Sequence, residues 1–118
     1  MKLTFIEVPV FINQIDKLGK PQSVEILVAI QNELLKDPKR GDVIKGTSGA
    51  RKGRISNPSK GKGKSGGFRY IYVYFEMNDR IYLFYFYEKK AQDDLTDEQT
   101  KMLAEVVRRT KVSLKGSK

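Results

Sequence analysis

The stretch FRYIYVYFEMNDRIYLFYFYE, Phe68 to Glu88, decides the fold. Its two apolar runs, Phe68 to Glu76 and Arg80 to Glu88, are dense in Tyr, Phe, Ile and Val and are joined by Met77-Asn78-Asp79. Aromatic and β-branched side chains suit a covered, pleated surface, and a short Asn-Asp turn lets two such runs fold back on each other. The pattern predicts a β-hairpin. Apolar groups stand on both faces of both runs, which places the hairpin in the middle of a sheet covered on each side.

Working outward, Thr96-Asp-Glu-Gln99 reads as a capping box, in which the threonine hydroxyl and the Gln99 side chain each satisfy an orphaned backbone donor. Acids in that first turn and Arg108, Arg109 and Lys111 further on suit the helix dipole, so a helix is expected from Asp97 to Lys111, with a frayed tail at 113–118. On the other side of the hairpin, Lys52 and Arg54 share one face of a short strand, Ala50 to Ser56, with Gly53 and Ile55 on the other. Before it, Val24, Leu27, Val28, Ile30, Leu34 and Leu35 recur at helical intervals behind Pro21, and Asp37-Pro38 ends that helix. A strand through Leu3, Phe5 and Val8 and a short helix from Phe11 to Leu18 come first. The order strand, two helices, three strands, helix predicts an α+β fold, with N-terminal helices and a C-terminal helix packed on a small, mostly antiparallel sheet. At 118 residues the chain is expected to form one domain spanning 1–118.

Composition removes whole classes of chemistry. There is no cysteine, hence no disulfide, thiolate nucleophile or Cys-type zinc site, and no histidine, the commonest general base and metal ligand. Any catalysis must use Lys, Arg, Tyr, carboxylates or hydroxyls. No run approaches the roughly 18 to 20 apolar residues of a membrane span, and a cytoplasmic protein is expected.

The formal charge is +9, and its placement is uneven. Lys39, Arg40, Lys45, Arg51, Lys52, Arg54, Lys60, Lys62, Lys64 and Arg69 face a single acid, Asp42, so that window carries the whole excess. A polyanion is the natural partner, because each cation that pairs with a phosphate releases a condensed counterion. The competing reading is a solvated basic face with no ligand.

Within this window Gly63-Lys64-Ser65 suggests a nucleotide loop, but the glycine required five places earlier is Pro58, and the following residues read as strand. The glycine-rich loop at about 56–67, expected to be mobile, instead lets the backbone approach a ligand while Lys60, Lys62 and Lys64 supply charge. A plain connector has the same composition. What favours a site is the neighbourhood: if the strands are adjacent, Lys52, Arg54 and Arg69 converge with Tyr87, Lys89 and Lys90 at one end of the sheet. Convergent like charges call for an anion between them.

The elements Pro38-x-x-Gly41-Asp-Val-Ile44, Gly46-Thr-x-Gly49, Arg51-Lys-x-Arg54, Gly61-Lys-Gly-Lys64, Gly66-Gly67-x-Arg69, Tyr87-x-Lys89 and Asp94-Leu95-Thr96 resemble the HigB branch of the RelE superfamily, toxins of bacterial type II toxin-antitoxin pairs. The likeness runs from about Leu34 to Leu103. It implies a RelE-like domain that enters the ribosomal A site and cleaves translated mRNA, and a cognate antitoxin of helix-turn-helix type. It implies no cofactor and no metal.

In that chemistry the RNA 2′-OH attacks the adjacent phosphorus, leaving a 2′,3′-cyclic phosphate and a 5′-OH. Arg69 is the candidate clamp on the phosphoryl oxygens, and Arg54 and Lys52 hold and orient the phosphates. Tyr87 stacks on a base or transfers a proton, and Lys89 lies beside it. Arg51, Lys60, Lys62, Lys64 and Lys90 are expected to bind the RNA backbone. This chain has Lys89 one place before an arginine of the RelE pattern, and Leu95 or Thr96 where that pattern has a tyrosine, which leaves proton transfer open between a lysine and Tyr87. A non-catalytic nucleic-acid binder and a ParE-like gyrase inhibitor of the same superfold are the competing readings.

Overall fold

The hairpin forms and is central. A computed structural model describes residues 2–56, 67–92 and 94–116. In chain order the elements are β1 (Thr4–Glu7), α1 (Pro9–Asp16), α2 (Gln22–Lys36), β2 (Asp42–Val43), β3 (Arg51–Ile55), β4 (Phe68–Phe75), β5 (Arg80–Glu88) and α3 (Asp97–Gly116). One sheet runs β1-β5-β4-β3-β2, with β1 parallel to β5 and every other pair antiparallel. A single 3-10 turn, Glu76–Asn78, joins β4 to β5, with Asp79 left-handed at φ 51°.

Helices cover both faces, as two-sided apolar strands require. Phe68, Tyr70 and Tyr72 of β4 pack with Ile81, Leu83 and Phe86 of β5 against Phe11 and Ile15 of α1 and Ile26, Ile30 and Leu34 of α2. The alternate residues Ile71, Val73 and Phe75 join Phe84 beneath Leu103, Val107 and Leu114 of α3. Aromatic contacts, such as Phe68 stacked on Phe86 with centroids 4.9 Å apart, add to the burial.

The β4–β5 ladder contains one irregularity: Ile71 pairs with Tyr85, but the next residue, Tyr72, pairs with Leu83. Phe84 is therefore an inserted residue, a β-bulge, and it inverts the inside-outside sense of everything after it. Strict alternation from Leu83 would send Tyr85 and Tyr87 toward α1 and α2. With the bulge, Phe86 goes there instead and both tyrosines join the α3 face.

Several boundaries differ from expectation. Pro9 opens α1 rather than merely ending β1, as proline suits a helix's first turn. On α2 the buried stripe is Ser23, Ile26, Ile30 and Leu34, while Val24, Val28 and Leu35 are exposed, because that helix is apolar on more than the face that meets the sheet. The two-residue β2 adds a fifth strand beyond those expected, one too short to carry a pattern. Helix α3 continues past Lys111 to Gly116, because Leu114 lies one buried heptad beyond Val107, so positions 113–116 of the expected frayed tail are helical. Most of the basic glycine-rich loop lies outside the described residues.

The capping box is formed as the sequence predicts: Gln99 N–H donates to Thr96 Oγ1 at 3.0 Å, and Thr96 N–H donates to Gln99 Oε1 at 3.0 Å. Replacing Thr96 by alanine removes one half of this exchange. The expected cost is about 1 kcal/mol, seen in thermal unfolding as a midpoint lowered by about 4 °C.

Candidate functional site

Register brings the cations together. Arg54 on β3 pairs with Arg69 on β4, and Arg69 pairs with Tyr87 on β5. Directly opposed residues on neighbouring strands point to the same face, about 4.8 Å apart from strand to strand. Arg54, Arg69 and Tyr87 thus form one row across three strands, on the α3 side of the sheet. The next row on this face is Lys52, Ile71 and Tyr85.

Two arginines directly opposed weaken a strand pair. Arg69 is only 4% exposed, and its one hydrogen bond among the described residues runs from Nη1 to the Phe68 carbonyl at 3.2 Å. No described carboxylate lies within ion-pair distance of Arg69 or Arg54. The exposed Arg54 beside it supplies a second fork at the surface. Together they form a pair of cations whose charge is not answered by described protein groups.

Lys52, on the same face, is answered: its Nζ lies 2.7 Å from Asp94 Oδ1. The hydrogen bond and the charge of Lys52 hold the Asp94 carboxyl below the usual carboxylate range. Half-buried Lys89 and exposed Lys90 follow β5 in a turn, where Lys89 N–H donates to the Gly67 carbonyl at 3.2 Å. Ile55 pairs with Phe68, so the stems of the basic loop, Ser56 and Gly67, emerge at this end of the sheet. A Cβ on Gly67 would run into the Ile55 carbonyl, so only glycine permits that approach. Lys60, Lys62 and Lys64 lie outside the described residues.

Arg51 does not join the group. Its backbone pairs with Tyr72, on the opposite face, and its Nη1 donates to the carbonyls of Lys39 at 2.9 Å and Gly41 at 2.7 Å. The Tyr72 hydroxyl donates to the Pro38 carbonyl at 2.8 Å and accepts from Gly41 N–H at 3.0 Å. Arg51 is thus a strut that ties β3 to the turn after α2.

Three neighbours escaped the reading of the sequence. Tyr85 stands on the α3 face with Tyr87 only because of the bulge, and burial pushes its phenol up, so it stays protonated at neutral pH. Leu95 packs against the same cluster as both tyrosines. Asp94 had a visible signal, as an acid in a shared motif just after a basic run, but no geometry to interpret it. A groove of about 640 Å³ at the far end of the sheet, lined by residues that include Phe75, Met77 and Leu114, contains none of this row. Among the described residues no cluster of carboxylates suits a metal ion, and no helix is long and apolar enough to cross a membrane.

Comparison with known proteins points the same way. The structure is similar to that of a double arginine-to-alanine mutant of the E. coli toxin RelE in the free state, with a TM-score of 0.57 and 16% identity over 79% of this chain and 90% of that one. It is similar to the isolated E. coli RelE toxin, with a TM-score of 0.55 and 14% identity over 92% and 99%. A third likeness is to the intact E. coli RelBE toxin-antitoxin complex, with a TM-score of 0.54 and 15% identity over 72% and 94%. At such identities the likeness establishes the α+β fold, with its three helices and mixed five-stranded sheet. The model of the RelE toxin of the RelE/RelB toxin-antitoxin system matches residues 30–115, a span that holds the whole cationic row and well over half the chain. By that match the chain belongs to the RelE toxin family of type II toxin-antitoxin systems.

Proposed function

We propose that this chain is a ribosome-dependent endoribonuclease of the HigB type, which cleaves translated mRNA in the A site and is neutralised by a cognate helix-turn-helix antitoxin. The observation that carries the reading is the opposition of a buried Arg69 to Arg54, beside Tyr87, with no described carboxylate to balance them. An arrangement that weakens a sheet is best explained by the anion it receives.

In the proposed reaction the scissile phosphate docks at the Arg54–Arg69 pair and the Arg69 fork takes its non-bridging oxygens, where charge grows as the 2′-OH attacks. Preorganised donors in a water-poor site need no reorganisation as that charge develops. Arg54 and the loop lysines hold the flanking phosphates. Tyr87 stacks on a base or carries a proton between the attacking and leaving oxygens, and Lys89 is the alternative proton carrier. The arginines supply the charge that a metal ion supplies elsewhere, so the reading is metal-independent. Deoxyribose lacks the nucleophile, so DNA is held and not cut.

Mapping RNA 5′ ends at codon resolution after brief induction tests the proposal. Breaks are expected inside translated frames, in phase with codons, and are expected to vanish when initiation is blocked. Breaks distributed equally over untranslated RNA would refute ribosome dependence. Altered DNA supercoiling without breaks would move the assignment to gyrase inhibition, and neither effect would leave a non-catalytic binder.

A further inference from the structure

We propose that Asp94 is a built-in counter-ion that occupies Lys52 in the free protein and is displaced by an RNA phosphate, an inference that rests on the ribonuclease reading above. Asp94 Oδ1 sits 2.7 Å from Lys52 Nζ. Lys52 lies two residues before Arg54 on the same face of β3, at the border of the unbalanced row.

The backbone that presents Asp94 is held on both sides. Gln92 Nε2 donates to the Asp94 carbonyl at 2.9 Å and to Gln99 Oε1 at 2.7 Å, and that same oxygen accepts Thr96 N–H at 3.0 Å. The strap is thereby fastened to the capping box of α3. On the other side Leu95 packs against the apolar cluster beneath α3 that Tyr85 and Tyr87 also join. Between these anchors Asp94 is delivered to the edge of the cationic face.

The two partners are unequally free to leave. The Asp94 side chain is 75% exposed and that of Lys52 27%, so the carboxylate returns to water readily while the ammonium stays over the sheet. In the free protein the carboxylate offsets the mutual repulsion of Lys52, Arg54 and Arg69. When a phosphate chain arrives, the same carboxylate becomes a like-charged neighbour competing for Lys52. An exposed pair is weak enough for that exchange. The site is therefore quiet toward sparse anions and open to ligands dense in phosphate.

The opposite role, in which Asp94 steadies Lys52 for the phosphate, predicts the opposite sign. The test measures binding of a short fluorescein-labelled 2′-O-methyl oligoribonucleotide, which cannot be cut, to the full chain and to Asp94→Asn, Lys52→Gln and the double variant. Asp94→Asn is expected to bind about fivefold tighter at low salt, an advantage that shrinks as salt rises. The double variant is expected to match Lys52→Gln. Equal or weaker binding by Asp94→Asn overturns the proposal, as does a gain that survives without Lys52. Binding by the unmodified chain that falls with Arg69→Ala but ignores Asp94→Asn overturns this inference, as does an oligonucleotide that binds none of the proteins, while breaks within translated frames decide the ribonuclease reading separately.

Discussion

Replacing Arg69 by alanine is expected to lower the rate of mRNA cleavage by about 10²- to 10³-fold and to abolish growth inhibition, while the chain stays folded. The size follows from the position. A donor already buried, aimed from the middle strand of the sheet and surrounded by little water, stabilises developing charge more strongly than a surface cation does. Fold retention follows from what is lost among the described residues: one side-chain hydrogen bond to the Phe68 carbonyl, offset by relief of the opposition to Arg54. Arg69→Lys is expected to fall nearly as far, because a point charge on a flexible stem does not reproduce the two-pronged contact. Cleavage in a translating extract, growth after induction and a thermal melt together decide it. A variant as toxic as the unmodified chain would remove the clamp from the mechanism.

The largest effect on stability is expected from Gly53→Ala. Gly53 pairs with Tyr70, and a Cβ there would lie 2.6 Å from the ring Cε2 and the hydroxyl of Tyr70, and closer still to Cζ. The ring cannot retreat. It is fully buried in the α1–α2 core, tilted against Tyr72 with centroids 5.7 Å apart, and its hydroxyl is 3.4 Å from Glu33 Oε1. Burial, reinforced by Glu33, pushes that phenol well above its ordinary range, so it stays protonated and able to donate. A methyl group forced into this space is expected to cost about 3 kcal/mol, and to lower the unfolding midpoint by more than about 10 °C. Urea titration of the two proteins measures it directly. Because β3 carries Lys52 and Arg54, cleavage should fall along with stability.

Much of this was legible in the chain. Aromatic density on both faces marked the central hairpin, and Thr96 with Gln99 marked the start of α3, because local chemistry settles such features. The shared face of Lys52 and Arg54 followed from strand parity once β3 was recognised, and the meeting of Arg54 with Arg69 followed from pairing β3 with the hairpin. What was not legible depended on distant contacts. Arg51 looked like its basic neighbours, and only the Lys39 and Gly41 carbonyls show it to be a strut. Asp94 stood out only as an acid in a shared motif, and only the fold brings it to Lys52, 42 residues earlier. The exposed Val24, Val28 and Leu35 satisfy helical spacing as well as the buried set does, and only the sheet selects between them.

The least legible feature was the inserted Phe84, and it governs where Tyr87 stands. Parity along a strand has two values, and a side-chain exchange cannot switch one for the other. Losing Phe84 would not switch it either, since an unbroken ladder would return with Tyr85, Phe86 and Tyr87 still opposite Ile71, Tyr70 and Arg69. What would move Tyr87 is drawing every residue of the strand into regular alternation: the phenol would then pass under α1 and Phe86 would come in among the guanidiniums. The bulge is thus a spacer that absorbs one residue the hairpin would otherwise pass on as a reversed face.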